Sequence, residues 1–79
     1  MTSRAFLTRQ TGAAVARFRR QRDLSQTMLA DMTHMTKGQL RSYETGRLCP
    51  SLFCLVKLLG ALEVSWQQFG QAIAKDDQR

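Results

Sequence analysis

The side chains that could do chemistry are few, and they are badly supplied for catalysis. His34 is the only histidine in the 79-residue chain, so no Cys-His or Ser-His-Asp arrangement can be completed without it. No second histidine joins the two cysteines in a metal site. The six Asp and Glu residues are scattered, and no glycine-rich loop opens a helix to cradle phosphate. These absences exclude an enzyme reading and leave no call for a metal or cofactor. Cys49 and Cys54 are too few for a disulfide scaffold and fit a reducing compartment, the cytoplasm. What remains is cationic hydrogen-bonding capacity. Twelve Lys and Arg against six acids give a net charge of +6 and a pI near 10.4, a balance that attracts polyanions, nucleic acid foremost.

Such side chains need rigid elements behind them. With 43% hydrophobic and 23% charged residues, the chain has the composition of one folded domain. One proline and five glycines supply too few turns for a many-stranded β fold, so an all-α architecture is expected. Residues 1–10, with Arg4 and Arg9 but also Phe6 and Leu7, read as an N-terminal basic arm, in part helical. From Thr11, the apolar positions Ala14, Val15 and Phe18 and the stem of Arg22 recur at helical spacing. Ser25 caps a short helix from Gln26 to about Met32. Thr33, His34 and Met35 make a tight connection to a second cap, Thr36, which opens a helix through Leu40 and Tyr43 to Gly46. Pro50 forces Cys49 into an extended conformation. Ser51 then caps a helix whose buried face is expected to carry Leu52, Leu55, Leu58, Leu59 and Leu62. Ser65 caps a fifth helix with Trp66, Phe69 and Ile73. The division is thus arm 1–10, domain 11–74 and charged tail 75–79. Met1 to Gln10 carries arginines but no apolar stretch of the kind a secretory signal requires. The run Leu52 to Leu62 is interrupted by Lys57 and too short to span a membrane.

Two short helices joined by a three-residue turn have the geometry of a helix-turn-helix. Ser25-Gln26-Thr27-Met28-Leu29-Ala30, Met35-Thr36-Lys37 with Leu40, Tyr43-Glu44-Thr45-Gly46 and Pro50-Ser51-Leu52 resemble the Cro/phage-repressor type of that motif, the lambda-repressor-like XRE family. The resemblance runs from Thr11 to Phe69. Gly12, Arg19, Leu24, Leu62 and Val64 also fit the pattern. It implies a compact five-helix domain in which Arg19 and Glu44 form a partly buried ion pair. His34 stands where the family usually has Gly, which points to left-handed backbone that His tolerates better than most residues. Thr33 replaces a usual apolar residue, leaving the start of the third helix open to an offset of one position. Glu63 likewise replaces a usual Gly.

The resemblance also implies double-stranded DNA as partner. On the third helix Lys37, Gly38, Gln39, Arg41 and Ser42 should point away from the Leu40 and Tyr43 stripe into the major groove. Gln39 can pair bidentately with adenine, and Arg41 or Lys37 with guanine; Gly38 allows close approach. Gln26, Thr27, Thr36, Arg47, Arg4 and Arg9 are the expected phosphate contacts. Size and family precedent imply a homodimer on a palindromic operator, formed through Trp66, Phe69, Ile73 and Phe53, with Phe69 expected in the core and Ile73 exposed. Met28 and Met32 add apolar surface that Phe6 and Leu7 of the arm, or a partner protein, could cover. The expected function is a dimeric transcriptional regulator, a repressor. The alternatives are an antitoxin binding its toxin, a restriction–modification controller, or a protein-interaction module on the same fold.

Overall fold

The computed structural model describes the backbone of residues 3–77 and the side chains of residues 3–73. Five helices follow one another: α1 (Arg4–Gln21), α2 (Gln26–Met32), α3 (Lys37–Glu44), α4 (Leu52–Leu62) and α5 (Trp66–Asp77). No strand occurs among the described residues. The domain is all-α, as expected.

A hydroxyl stands at the start of every helix, satisfying an amide that the helix itself leaves without a partner. Ser3, Ser25, Thr36 and Ser51 accept from the amides of Phe6, Met28, Gln39 and Cys54 at 3.0 to 3.1 Å. At α5 the exchange is reciprocal. Ser65 Oγ accepts from Gln68 N at 3.0 Å, and Ser65 N donates to Gln68 Oε1 at 2.9 Å, a capping box.

Ser3 also corrects the sequence reading of the first ten residues. Residues 4–10 are the opening turns of α1, continuous with the helix expected only from Thr11. Nothing in Arg4 to Gln10 breaks a helix once Ser3 has capped it. Likewise α5 continues to Asp77, past Lys75 where a tail was expected. Residues 1–2 of the arm and 78–79 of the tail lie outside the described residues.

The core gathers Val15 from α1, Leu29 from α2, Leu40 from α3 and Leu58 and Leu62 from α4, each fully buried. Phe69 of α5 closes it with 4% exposure, its ring 6.5 Å from that of Phe18. Met35, expected only as turn, is buried too. Leu24 packs against the core from the α1–α2 connection. Leu52 does not join this face and is 71% exposed. It is the first residue of α4, a turn before the packed stretch begins. Leu55 is half-buried.

Left-handed residues set the direction of the connections. His34 (φ 58°), Glu63 (φ 57°) and Gly46 (φ 78°) adopt this backbone where the sequence suggested it, and Asp23 (φ 55°) adds a fourth. Thr33 keeps the turn in register without an offset. It is 2% exposed, and its hydroxyl donates to the carbonyls of Leu29 at 2.8 Å and Ala30 at 3.2 Å. A polar side chain thereby occupies a position suited to an apolar one, with its hydrogen bond satisfied.

Candidate nucleic-acid interface

The orientation of α3 is set by a charged junction between three helices. Arg19 of α1 donates through Nε to Glu44 Oε2 at 2.7 Å and through Nη2 to Glu44 Oε1 at 3.1 Å. Its Nη1 donates to the carbonyl of Leu24 at 2.7 Å. Gln26 Nε2, on α2, donates to Glu44 Oε1 at 3.0 Å. The Glu44 side chain is 4% exposed and that of Arg19 11%. Charges this far from water are tolerable only when paired and fully hydrogen-bonded, as these are.

A close helix crossing adds a second constraint. A Cβ built on Gly12 would overlap the carbonyl oxygen of Tyr43, so only a glycine lets α1 and α3 approach this far. Ala30, 2% exposed, serves the α2–α3 crossing as a small residue should.

On α3 itself, Lys37, Gly38 and Arg41 are exposed, and Thr36 is exposed just before them. Ser42 is half-buried; its carbonyl accepts from the amides of Arg47 at 2.9 Å and Leu48 at 3.2 Å. Gln39 departs from the expected outward direction. It is half-buried, and its Nε2 donates to Tyr43 Oη at 2.7 Å. Residues four apart share a helix face, so Gln39 lies over Tyr43 rather than opposite it. Tyr43 Oη in turn donates to Cys54 Sγ at 3.6 Å. Burial, then the Cys54 contact, push the Tyr43 hydroxyl above its ordinary pKa. Hydrogen bonds from Ser51 and Tyr43 hold the Cys54 thiol below its own. Both cysteines are free.

The basic residues fall into two sets. Arg4 and Arg47 line one shallow depression with Ala5, Thr8, Leu48 and Cys49. Arg9 packs against Gly46, where an added Cβ would meet its Cγ at 2.8 Å. The start of α1 therefore sits beside the loop that follows α3. On the other side, Gln26 is half-buried and Thr27 exposed at the start of α2. Arg22 is exposed and donates to the carbonyl of Glu63 at 3.2 Å, tying the end of α1 to the end of α4.

The helix-turn-helix family matches residues 15–69, which include the ion pair, both motif helices and the core. The chain belongs to the Cro/C1-type helix-turn-helix family. As a member it is a DNA-binding transcription regulator. Its fold superposes on the solved structure of the clp gene regulator ClgR from Corynebacterium glutamicum with a TM-score of 0.85. The two are 27% identical, over 89% of this chain and 74% of that one. No curated protein matches the chain.

In this helix-turn-helix regulator the residues expected to form a dimer surface are not brought together as one set. Phe69 belongs to its own core, and Ile73 is half-buried against that core. A side chain committed to its own interior is withdrawn from a partner. Trp66 remains 51% and Phe53 72% exposed. Leu52, Val56 and Leu48 are exposed as well, a set the sequence reading missed because Leu52 was taken for core. Met28 and Met32 are half-exposed, so Phe6 and Leu7 do not cover them. Among the described residues no helix is long and apolar enough to cross a membrane.

Proposed function

We propose that the chain is a cytoplasmic homodimeric repressor that reads a palindromic operator with α3 in the major groove. The observation that carries this is the exposure of Lys37, Gly38 and Arg41 on a helix whose opposite face is locked by Arg19, Gln26 and Glu44. Rigid presentation of a polar face is what base reading requires. Lys37 or Arg41 takes guanine and Gln39 takes adenine, with Ser42 at the edge of the contact.

Phosphate contacts come from both ends of the motif. Thr36 accepts at its cap yet keeps its hydroxyl proton, and Gln26 keeps a second amide proton beyond the one given to Glu44; both protons can go to phosphate. Thr27 stands beside Gln26. Arg47, Arg4 and Arg9 flank the other end. The exposed apolar residues Phe53 and Trp66, with Leu52 and Val56 on the same helix as Phe53, provide the second copy with a surface. The similarity to a gene regulator supports the reading.

The test is binding selection from a random duplex library at near-physiological salt, repeated with Lys37→Ala and Arg41→Ala. A palindromic site is expected, with half-site preference relaxed at one position in each variant. Binding without any motif, falling with salt at a slope set by a few phosphates, would sink the reading.

A further inference from the structure

The hydrogen bonds that hold Gln39 run in one direction, and the direction governs which bases it can read. Gln39 Nε2 donates to Tyr43 Oη at 2.7 Å, and Tyr43 Oη donates to Cys54 Sγ at 3.6 Å. A phenol has a single proton. Once that proton is committed to sulfur, the oxygen can only accept, so it takes the amide N–H2 of Gln39 and rejects the amide carbonyl. Sulfur is suited to the receiving end, because S–H is a weak donor and the hydroxyls of Ser51 and Tyr43 already favour the thiolate. Tyr43 is 6% exposed, which keeps water from competing for its hydroxyl.

The major groove offers donors and acceptors in a base-specific way. Adenine and cytosine present an exocyclic amine; guanine and thymine present a carbonyl oxygen at the corresponding place. A glutamine free to turn its amide can satisfy either. One held by its nitrogen keeps Oε1 and a single N–H for the groove, which together match the amine and N7 of adenine but only part of any other base.

We propose that Tyr43 and Cys54 act as positioning residues for base selection, turning Oε1 of Gln39 toward the groove so that Oε1 and the remaining Nε2 proton match the amine and N7 of adenine together. Cytosine, guanine and thymine can each satisfy only one of these two groups, so adenine ranks above all three. Neither Tyr43 nor Cys54 touches DNA. The inference rests on α3 being the reading helix, as proposed above.

The experiment is selection of bound duplexes from a random library with the full chain and with Gln39→Ala, Tyr43→Phe and Cys54→Ala. Circular dichroism and thermal melting establish that each variant is folded. In the unsubstituted chain, one half-site position should favour adenine by about tenfold over the other bases, the discrimination of a good contact. Gln39→Ala should flatten that position. Tyr43→Phe keeps the ring, and Cys54→Ala frees the phenol to donate to Oε1. Both should admit guanine or thymine there and leave the other half-site positions as they were. A purely structural role would instead weaken binding evenly across sites. The proposal is overturned by a guanine or thymine preference in the unsubstituted chain, by indifference of every position to Gln39→Ala, or by an unaltered preference in Tyr43→Phe and Cys54→Ala. In each of those cases an intact palindromic motif leaves the regulator reading standing. Absence of any motif in the unsubstituted chain overturns both.

Discussion

Arg19 and Glu44 meet in a two-point contact, Nε to Oε2 at 2.7 Å and Nη2 to Oε1 at 3.1 Å, that ties α3 to α1. Removing one partner strands the other charge away from water. Arg19→Leu or Glu44→Leu should therefore cost about 3–5 kcal/mol of unfolding free energy. Urea denaturation checks it, and a loss below about 1 kcal/mol would mean that the pair is no better than a surface bridge.

Gly12 and the carbonyl of Tyr43 are in direct apposition. Gly12→Ala gains helix propensity of about 1 kcal/mol but must push α3 away, and overpacking typically costs about 1–3 kcal/mol. The expected outcome is net destabilisation, together with a drop in specific DNA affinity larger than the drop in non-specific affinity. Melting curves and paired binding titrations on cognate and random duplexes separate the two effects.

Glu63 closes α4 at φ 57°, ψ 43°, a conformation that costs a non-glycine residue about 1–2 kcal/mol. Glu63→Gly relieves that strain, partly offset by greater freedom of the unfolded chain. Arg22 binds the backbone carbonyl of residue 63, so its contact survives. A stabilisation of about 0.5–1 kcal/mol is expected by thermal denaturation.

Tyr43 is the sole tyrosine, which lets its ionisation be followed directly by tyrosinate absorbance. Burial, then the hydrogen bond to Cys54, raise its pKa above 10.0 in the fold. The raised value works against ionisation of the folded state. Its contribution to stability is fully present below the unfolded pKa, near 10, and is lost as pH rises through the higher folded value. Tyr43→Phe should abolish that alkaline loss of stability. A titration midpoint at or below 10 in the folded protein would contradict the assignment.

Arg4 and Arg47 line the same depression beside the end of α3. If both neutralise phosphates, Arg4→Ala and Arg47→Ala should each reduce the slope of log affinity against log salt by about 1. The base preference should stay unchanged. Titrations at three or more salt concentrations give the slopes.

The helix starts were legible because a cap is a local device. Ser25, Thr36, Ser51 and Ser65 each act on an amide three residues on, and Ser3, which does the same, was there to be read. The left-handed positions His34 and Glu63 were legible through the glycines they replace. Other features depend on partners distant in sequence. Nothing around Gly12 announces the carbonyl of Tyr43. Periodicity placed Leu52 on the buried face of its helix, but it cannot tell that the first turn of α4 overhangs the core. Gln39 was given an outward direction by its polarity, whereas the spacing from Gln39 to Tyr43 already put the two on one face. Phe69 was read as core although it stands among the dimer candidates, whereas Ile73, expected to be exposed, packs against the core.

The placement of Arg19 early in the chain has a consequence for folding. Caps form locally, within single turns, while α3 is held to α1 through Arg19 and Gly12, which lie far from it in sequence. A low-contact-order helical domain of this kind is expected to fold in microseconds to milliseconds. A fragment that begins after Gln21 keeps the whole helix-turn-helix and still leaves Glu44 without its cation. Such a fragment would retain the letters of the DNA-reading motif and lose the frame that makes them readable.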